Sequence, residues 1–468
     1  MAKQPNIQEL YNCISVLQDE IKNLRSELGA LRSENKHLKT EVSSLKRKLE
    51  KHETPKNSNN SSIPPSKDEN RPKRKSLREP SGLKPGGQKG RKGNTLKMAE
   101  TPDLTVDHYP EYCSCCGNNL AGTDPFFIGK RQVYDIPPIE IKVTEHRIYE
   151  RACNCGHKTR SSWPAGVETP VSYGSNIESL IGYFHTRQYI PFKRMQEIFT
   201  DVFGAQISEG GIHYLLEKLA RKAAPAYQLI RDKLKATCQA VGSDETGLKV
   251  NGGKYWAWTW QALDATFITI TNNRGQKSID DTFEDGFINA ALVHDCWASH
   301  FNTKALTHQL CIAHLLRDLN YLNELYNHKW GRTLKLLLQT ALKLKRQMEK
   351  ADYLIHNPRR GQIEKYLDML LGYQLPPDKK ELVRFQNRLI KYKDYILTFL
   401  YRYEVPPDNN ASERAIRNIK VKQNVSGQFR SVNGAACFAK LRSIIDTAIK
   451  NGQKVLETLQ VIANLQTD

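Results

Sequence analysis

The stretch Gln239-Ala-Val-Gly-Ser-Asp244-Glu-Thr-Gly247 decides how the second half of the chain folds. A short apolar run that closes on a carboxylate predicts a buried strand, Gln239–Asp244, with the acid at its end. Asn251-Gly-Gly predicts a hairpin turn after it. Tyr255–Leu263 reads as a second strand, in which Trp256, Trp258 and Trp260 alternate with Tyr255, Ala257 and Thr259. Asp264 opens the next turn, Thr266–Thr271 reads as a third strand, and Ser278–Phe283 as a helix. Ala290–Asp295 is a fourth strand that again ends on an aspartate, and Leu310–Leu325 a strand edge running into a helix. This order is that of a ribonuclease H-like sheet, an α/β arrangement whose first and fourth strands are parallel neighbours. Asp244 and Asp295 are then expected to converge at their carboxyl ends. A lone aspartate at a strand end is more often a cap or a turn former; it is the pair, in this strand order, that carries the reading.

A third acid stands in a different setting. Glu413, in Asn409-Asn-Ala-Ser-Glu413-Arg-Ala-Ile-Arg417, lies on a predicted helix with a basic exposed face, and Asn409 or Asn410 is expected to cap that helix. Two strand-end aspartates and one helical glutamate suit a pair of Mg2+ or Mn2+ ions, about 3.5–4 Å apart, held against a phosphodiester. Arg414, Arg417 and Lys420 lie around the same helix, where they suit phosphate contact. Cys311 and His314, three apart, make a poor zinc pair, so His314 and Arg317 are expected near the scissile phosphate. Glu245 points to the opposite face from Asp244 if the strand continues. Between Asp295 and Glu413, residues about 321–395 read as a lysine-rich helical insertion.

The 468 residues carry a formal net charge of +20, which favours a polyanionic partner because each cation that neutralises a phosphate releases counterions. No run of about 18 apolar residues and no signal peptide is present, so a membrane is not expected and a cytoplasmic location is. In that compartment thiols stay reduced, and clustered cysteines read as metal ligands rather than disulfides.

Residues 1–51 hold a seven-residue repeat. Leu10, Leu17, Leu24, Leu31, Leu38 and Leu45 occupy d, while Ile7, Ile14, Ile21, Leu28, Asn35, Val42 and Leu49 occupy a. β-branched residues at a with leucine at d favour a parallel two-stranded coiled coil, and the single Asn35 fixes its register. Glu20, Glu27, Glu34 and Glu41 at g face Arg25, Arg32, Lys39 and Lys46 at the following e positions of a partner. Residues 52–98 read as a disordered basic linker whose Pro85–Gly93 run places Lys89, Arg91 and Lys92 for contact with a DNA backbone. In residues 99–165, Cys113-Ser-Cys-Cys116-Gly and Cys153-Asn-Cys155-Gly-His resemble the two knuckles of a zinc ribbon, with strands expected at Gln132–Ile136 and Glu140–Ile148. Cys113, Cys116, Cys153 and Cys155 are the preferred structural set; Cys115 can stand for Cys116, and His157 for Cys155. Residues 166–236 read as a helical connector in which Phe192–Phe203 and a helix capped by Ser208 fit a helix-turn-helix. A catalytic domain over 237–452 and a tail over 453–468 complete the chain.

Taken together, these motifs resemble the transposases of the insertion-sequence 66 family, a bacterial DDE-type group. The resemblance rests on the zipper, Gly86-Gly-Gln-Lys-Gly90, the four cysteines, Asp244-Glu-Thr-Gly, His294-Asp295, Cys311-Ile-Ala-His314-Leu-Leu-Arg317, Asn409-Asn-Ala-Ser-Glu413-Arg414 and the Gly434–Gly452 segment. Lys89 and Arg91 stand where the family pattern leads one to expect proline and histidine. The resemblance implies that Asp244, Asp295 and Glu413 form the catalytic triad, that a nucleoid-associated bacterial enzyme cuts element ends and joins them to target DNA, and that accessory proteins of the same element take part. Two other readings stay open. A metal-dependent nuclease of the same fold would use the same carboxylates. A dimeric zinc-containing DNA-binding regulator would leave residues 237–452 without a role.

Overall fold

The computed structural model describes residues 7–57, 60, 61, 68, 69, 90, 95–137, 139–164, 166, 167 and 169–466. Lys89, Arg91 and Lys92 of the basic arm lie outside them. The chain divides into two compact units, one of Met1–Pro72, Ser162–Met195 and Ser208–Asp468, the other of Lys73–Ser161 and Gln196–Ile207. No helix among the described residues is long and apolar enough to cross a membrane.

The first unit opens with a single 47-residue helix, α1 (Ile7–Glu53). Its heptad row stays open to solvent in one chain, with Leu17 51% and Leu24 62% exposed and Leu31, Leu38 and Leu45 likewise exposed.

The second unit holds β1 (Glu150–Ala152) and β2 (Lys158–Arg160), an antiparallel pair across the second cysteine turn, together with residues 196–203 of a later helix. The strands expected at Gln132–Ile136 and Glu140–Ile148 do not form. Alternation makes a strand only where one face is buried and a neighbour takes the ladder bonds. Here Val133 is 92% and Val143 87% exposed.

Next come α2 (Ser175–Gly182), a π-helical turn (Tyr183–Arg187), α3 (Phe192–Phe203), α4 (Glu209–Lys222) and α5 (Ala224–Ala236). Ser208 caps α4 by accepting from the Gly211 N–H at 3.0 Å.

The centre of the first unit is a five-stranded mixed sheet. Its strands are β3 (Ala240–Val250), β4 (Gly253–Gln261), β5 (Thr266–Thr271), β6 (Phe287–His294) and β7 (Ala305–Leu310), in the order β5-β4-β3-β6-β7. β3, β4 and β5 are antiparallel neighbours; β3, β6 and β7 run parallel. The β3–β4 turn has positive φ at both central residues, Asn251 (45°) and Gly252 (76°), which is the hairpin geometry that an Asn-Gly pair favours. The short helices α6 (Gln276–Asp280) and α7 (Ala298–Asn302) flank β6.

Both sheet edges are covered. After α8 (Ile312–Tyr326) the chain makes α9 (Lys329–Gln347), α10 (Pro358–Leu371), α11 (Lys380–Lys391) and α12 (Thr398–Tyr401). Beside β7, Thr398 Oγ1 donates to the His308 carbonyl at 2.7 Å, and the Phe399 N–H donates to Gln309 Oε1 at 2.8 Å. Then follow α13 (Asn410–Ser426), α14 (Val432–Lys450) and α15 (Val455–Ala463). On the β5 edge, Ser443 and Thr447 of α14 accept the N–H groups of Ile268 (2.9 Å) and Thr266 (3.0 Å). Side chains thus satisfy edge groups that would otherwise be open to another strand. One face of the sheet packs Leu248, Val250, Ala257 and Ile268 against Ile419, Ala435, Phe438 and Ala439.

Gly286 turns the chain into β6 at φ +66°, and a Cβ there would sit 2.1 Å from the Lys304 carbonyl oxygen. Gly286→Ala is expected to lose at least about 2 kcal/mol of stability, read as a lowered urea midpoint with an unchanged slope.

Candidate active site

The site forms where two central strands part. β3 pairs with β6 through Gly242↔Val293 and no further. Beyond that point β3 continues to Val250, paired on its other side with β4, so Asp244 lies opposite Thr259, inside the strand rather than at the end that the Gln239–Asp244 reading expects. β6 ends at His294, and Asp295 follows it directly. The first turn of α13 enters at the fork. Asn409 Nδ2 donates to the Ser243 carbonyl at 2.6 Å, Ser412 Oγ donates to Asn409 Oδ1 at 2.6 Å, and the Asn409 N–H meets Cys311 Sγ at 3.2 Å. Gly242 makes room for this, since a Cβ there would stand 2.5 Å from Asn409 Oδ1. The helix therefore begins against β3, with Glu413 in its first turn.

This corrects one sequence expectation. Asn409 stands at the cap position but makes no side-chain capping bond. Its amide is committed to the strand, and the carboxylate of Asp408 instead accepts the Asn410 N–H at 3.0 Å.

The three candidate acids feel one another electrostatically, yet their surroundings differ. Burial pushes the Asp244 carboxyl well above its ordinary range, and the charges of Glu245, Asp295 and Glu413 push it further. Burial acts on Asp295 in the same sense. It is outweighed by His300, His314 and the Trp297 N–H, which donates to Asp295 Oδ1 at 3.0 Å, and that carboxyl is held below the ordinary range. Glu413 Oε1 is 3.0 Å from Arg317 Nη2 and 3.8 Å from His314 Nε2. His314 and Arg317, expected at a phosphate, thus face the glutamate. Burial and the neighbouring Arg317 hold the His314 imidazole below its ordinary pKa, which favours the neutral form.

Glu245 is on the opposite side of β3 from Asp244, as strand alternation requires, and only 2% of its side chain is exposed. Arg274 binds it through Nε (2.8 Å) and Nη2 (2.7 Å) to Oε1, and stacks 3.8 Å from the Trp297 ring centre. Sequence reasoning missed Arg274 and His300. No local pattern marks either, and only the tertiary fold brings them to the strand ends. On the far side of α13, Arg414 and Arg417 are exposed. Lys420 instead gives its ammonium to the Gly247 carbonyl, so it is not free for a phosphate.

Carboxylates of which burial and mutual repulsion raise one member fit a hard divalent cation with oxygen ligands, and Asp244, Asp295 and Glu413 are the residues that could hold one, although the three do not come within 4.8 Å of one another in this structure. Among the described residues, one group of three metal-capable side chains has its ligand atoms within 4.8 Å of one another: His294, Asp295 and His300.

The cysteines make two turns in the other unit. Gly117 (φ 73°) and Gly156 (φ 84°) close them. The Gly117 N–H donates to the Cys113 carbonyl at 2.9 Å, and the Gly156 N–H to that of Cys153 at 2.9 Å. The main-chain N–H of Cys116 lowers the Cys113 pKa, and that of Cys155 lowers the Cys153 pKa. Turns that favour thiolate suit a zinc half-site. The described cysteine sulfurs do not come together in threes within 4.8 Å, so each turn fits half of a four-thiolate site.

The raised Asp244 has a measurable consequence. A carboxyl whose folded pKa lies above its unfolded value binds more protons when folded, so stability falls as pH rises through the folded pKa. In magnesium-free buffer, Asp244→Asn is expected to melt higher than wild type at neutral pH and to flatten the decline above the ordinary Asp range. Added Mg2+ should raise the melting temperature of wild type more than that of the variant. Equal melting of wild type and Asp244→Asn in magnesium-free buffer would exclude Asp244 as a carboxylate held against its charge, and a wild type that Mg2+ does not shift would exclude a magnesium site there.

Comparison with known proteins now bears on this geometry. No curated protein matches the chain. Residues 110–156, which take in both cysteine turns but not His157, match the zinc-finger binding domain of transposase IS66. Residues 170–437, more than half of the chain and including Asp244, Asp295 and Glu413, match the model described as Transposase IS66 family. The chain belongs to the IS66 family of transposases.

Proposed function

We propose that this protein is a DDE-type transposase that cuts the ends of an insertion sequence and joins them to target DNA. Asp244, Asp295 and Glu413 are its acidic triad on a ribonuclease H-like core. The observation that carries the reading is that the point where β3 parts from β6, the β6 end and the first turn of α13 bring their carboxylates into electrostatic reach of one another. Family membership gives the reaction class.

Asp244 and Asp295 would hold the divalent cations, with Glu413 completing the set. Bound there, Mg2+ or Mn2+ would lower the pKa of a bound water or 3′-hydroxyl and offset charge on the leaving oxygen. The protein's own part is positioning. The Trp297 N–H fixes one Asp295 oxygen, and the Asn409 and Ser412 bonds fix the helix that carries Glu413. Arg317, paired with Glu413 here, gains a free guanidinium when the glutamate turns to a cation, and can then meet a phosphate oxygen. Exposed Arg414 and Arg417 extend positive charge along the same helix. The nuclease reading uses the same groups, and joined product separates the two.

Cys113, Cys116, Cys153 and Cys155 would hold a structural zinc ion, closing the two half-sites into a DNA-binding module; the zinc-finger family match spans both cysteine turns. The exposed row on α1 fits a second copy of the helix, with Asn35 setting the register of a parallel dimer. Residues 89–92 would add backbone contacts, and small proteins of the same element could join the assembly.

Strand transfer tests the central claim. A labelled, pre-cleaved duplex of the element's own end, incubated with target plasmid and Mg2+, should give joined product. Asp295→Asn and Glu413→Gln should each reduce it at least about 10²-fold, the scale of losing a group that stabilises transition-state charge. Cleavage without joining would favour the nuclease, and binding without metal-dependent product the regulator. The dimer is tested separately by sedimentation, where Leu24→Glu with Leu31→Glu should convert a dimer to a monomer. An unchanged mass would reject α1 as the interface.

A further inference from the structure

His300 packs on the Ser243 and Glu245 side of β3, facing Asp295, and is 1% exposed. Its Nε2 is 3.1 Å from Ser243 Oγ and 3.9 Å from Glu245 Oε2. Its Nδ1 has no hydrogen-bond partner and faces Asp295 Oδ1 at 3.5 Å. That separation is too long for a good N–H···O bond. It does match two atoms that share one ion: bonds of about 2.0–2.2 Å leave neighbouring ligand atoms roughly 3–3.5 Å apart. If Nε2–H donates to Ser243, Nδ1 presents its lone pair to the lone pairs of Asp295 Oδ1. That contact repels unless a proton or a metal ion lies between them, and a proton there would make it the attraction that lowers the Asp295 carboxyl.

The neighbours of this pair support a built site. Trp297 N–H already holds Asp295 Oδ1 at 3.0 Å, and the His300 ring packs edge-on against buried Trp258, centres 5.8 Å apart. His294 offers a third ligand atom within 4.8 Å. Its nitrogens are engaged, however, Nδ1 with the Asp295 carbonyl and Nε2 with His308 Nδ1 at 3.1 Å. His294 therefore fixes the turn, and His300 keeps the free nitrogen.

We propose that His300 Nδ1 is a ligand to the divalent cation on Asp295, which makes that position a mixed nitrogen–oxygen site that prefers a first-row transition ion such as Mn2+ over Mg2+. The inference rests on the reading that Asp295 holds a cation. Imidazole stabilises transition dications more than it does Mg2+, which favours oxygen and keeps its waters. The competing account makes His300 a buried imidazolium that balances Asp295 and Glu245. The two accounts predict opposite signs. Loss of a ligand weakens Mn2+ binding, whereas loss of a positive charge beside the site strengthens binding of every dication.

Mn2+ binding to full-length protein loaded with one equivalent of Zn2+, enough for the cysteine site alone, and followed by electron paramagnetic resonance, tests this, with Mg2+ affinity read by competition. His300→Gln is expected to weaken Mn2+ binding at least about tenfold, the lower end for disturbing a metal site, and to move Mg2+ affinity much less. Nitrogen modulation in the pulsed spectrum of Mn2+-loaded wild type should be present and should disappear in the variant. The wild-type spectrum needs no variant to fold, so absent nitrogen coupling overturns the proposal by itself. Unchanged or tighter Mn2+ binding in His300→Gln also overturns it. Asp295→Asn is the separate control: if it leaves Mn2+ binding intact, the cation site at Asp295 fails, whatever His300 does.

Discussion

The amide of Asn409 on the main-chain carbonyl of Ser243, 2.6 Å away, is the bond on which the site depends. β3 and β6 stop pairing after Gly242 and Val293, so the Ser243 carbonyl has lost its β6 neighbour at the point where the strands diverge. A buried carbonyl without a partner is costly. A side-chain amide supplies the bond and ties the start of α13 to the strand. Ser412 steadies the amide, and the missing Cβ of Gly242 leaves the space. Glu413 therefore inherits its place from a backbone requirement of the sheet.

The same fork concentrates acid groups in a half-buried setting, and the protein answers with cations set one shell back. Arg274 neutralises Glu245 behind Asp244, and Arg317 faces Glu413. Among the described residues Asp244 receives no such partner, and its carboxyl stays displaced upward. A uniformly paired cluster would be more stable and would have no capacity left for a cation. An unneutralised aspartate is what the proposed cation site would need, at a cost in stability.

Much of this was legible along the chain because short-range rules applied. Asn251-Gly252 turned as its dipeptide requires, and β4 and β5 carried β-branched and aromatic residues that fit a buried strand. β7 was read only as an edge at Leu310. Its Thr-His-Gln centre looks polar, but His308 and Gln309 are buried and bonded to the covering segment. The false strands at 132–148 failed for the reverse reason: their alternation was real, but no buried face received it. A cap is expected at Asn409 or Asn410 because that is a common use of asparagine before a helix. Only the adjacent strand shows that the Asn409 amide is needed elsewhere. Arg274 and His300 had no local signature at all.

The long interval between Asp295 and Glu413 follows from the same logic. Once β7 ends, the Cys311 N–H donates to the His294 carbonyl and the Ile312 N–H to the Pro407 carbonyl, both at 2.9 Å. The chain leaves the sheet at residue 312 and returns at 407 across one hydrogen bond. Closing so long an excursion costs entropy that grows only slowly with its length. The excursion also builds its own core, in which Leu319, Leu334, Leu338, Leu367, Leu382 and Phe399 join the cluster that includes Val293 and Leu310 of the sheet. It covers the β7 edge and supplies α8, whose Arg317 reaches back to Glu413. Sequence distance between two acids is therefore a weak guide to their separation. What brings them together is whether the intervening segment closes on itself, and this one does so at the base of α8.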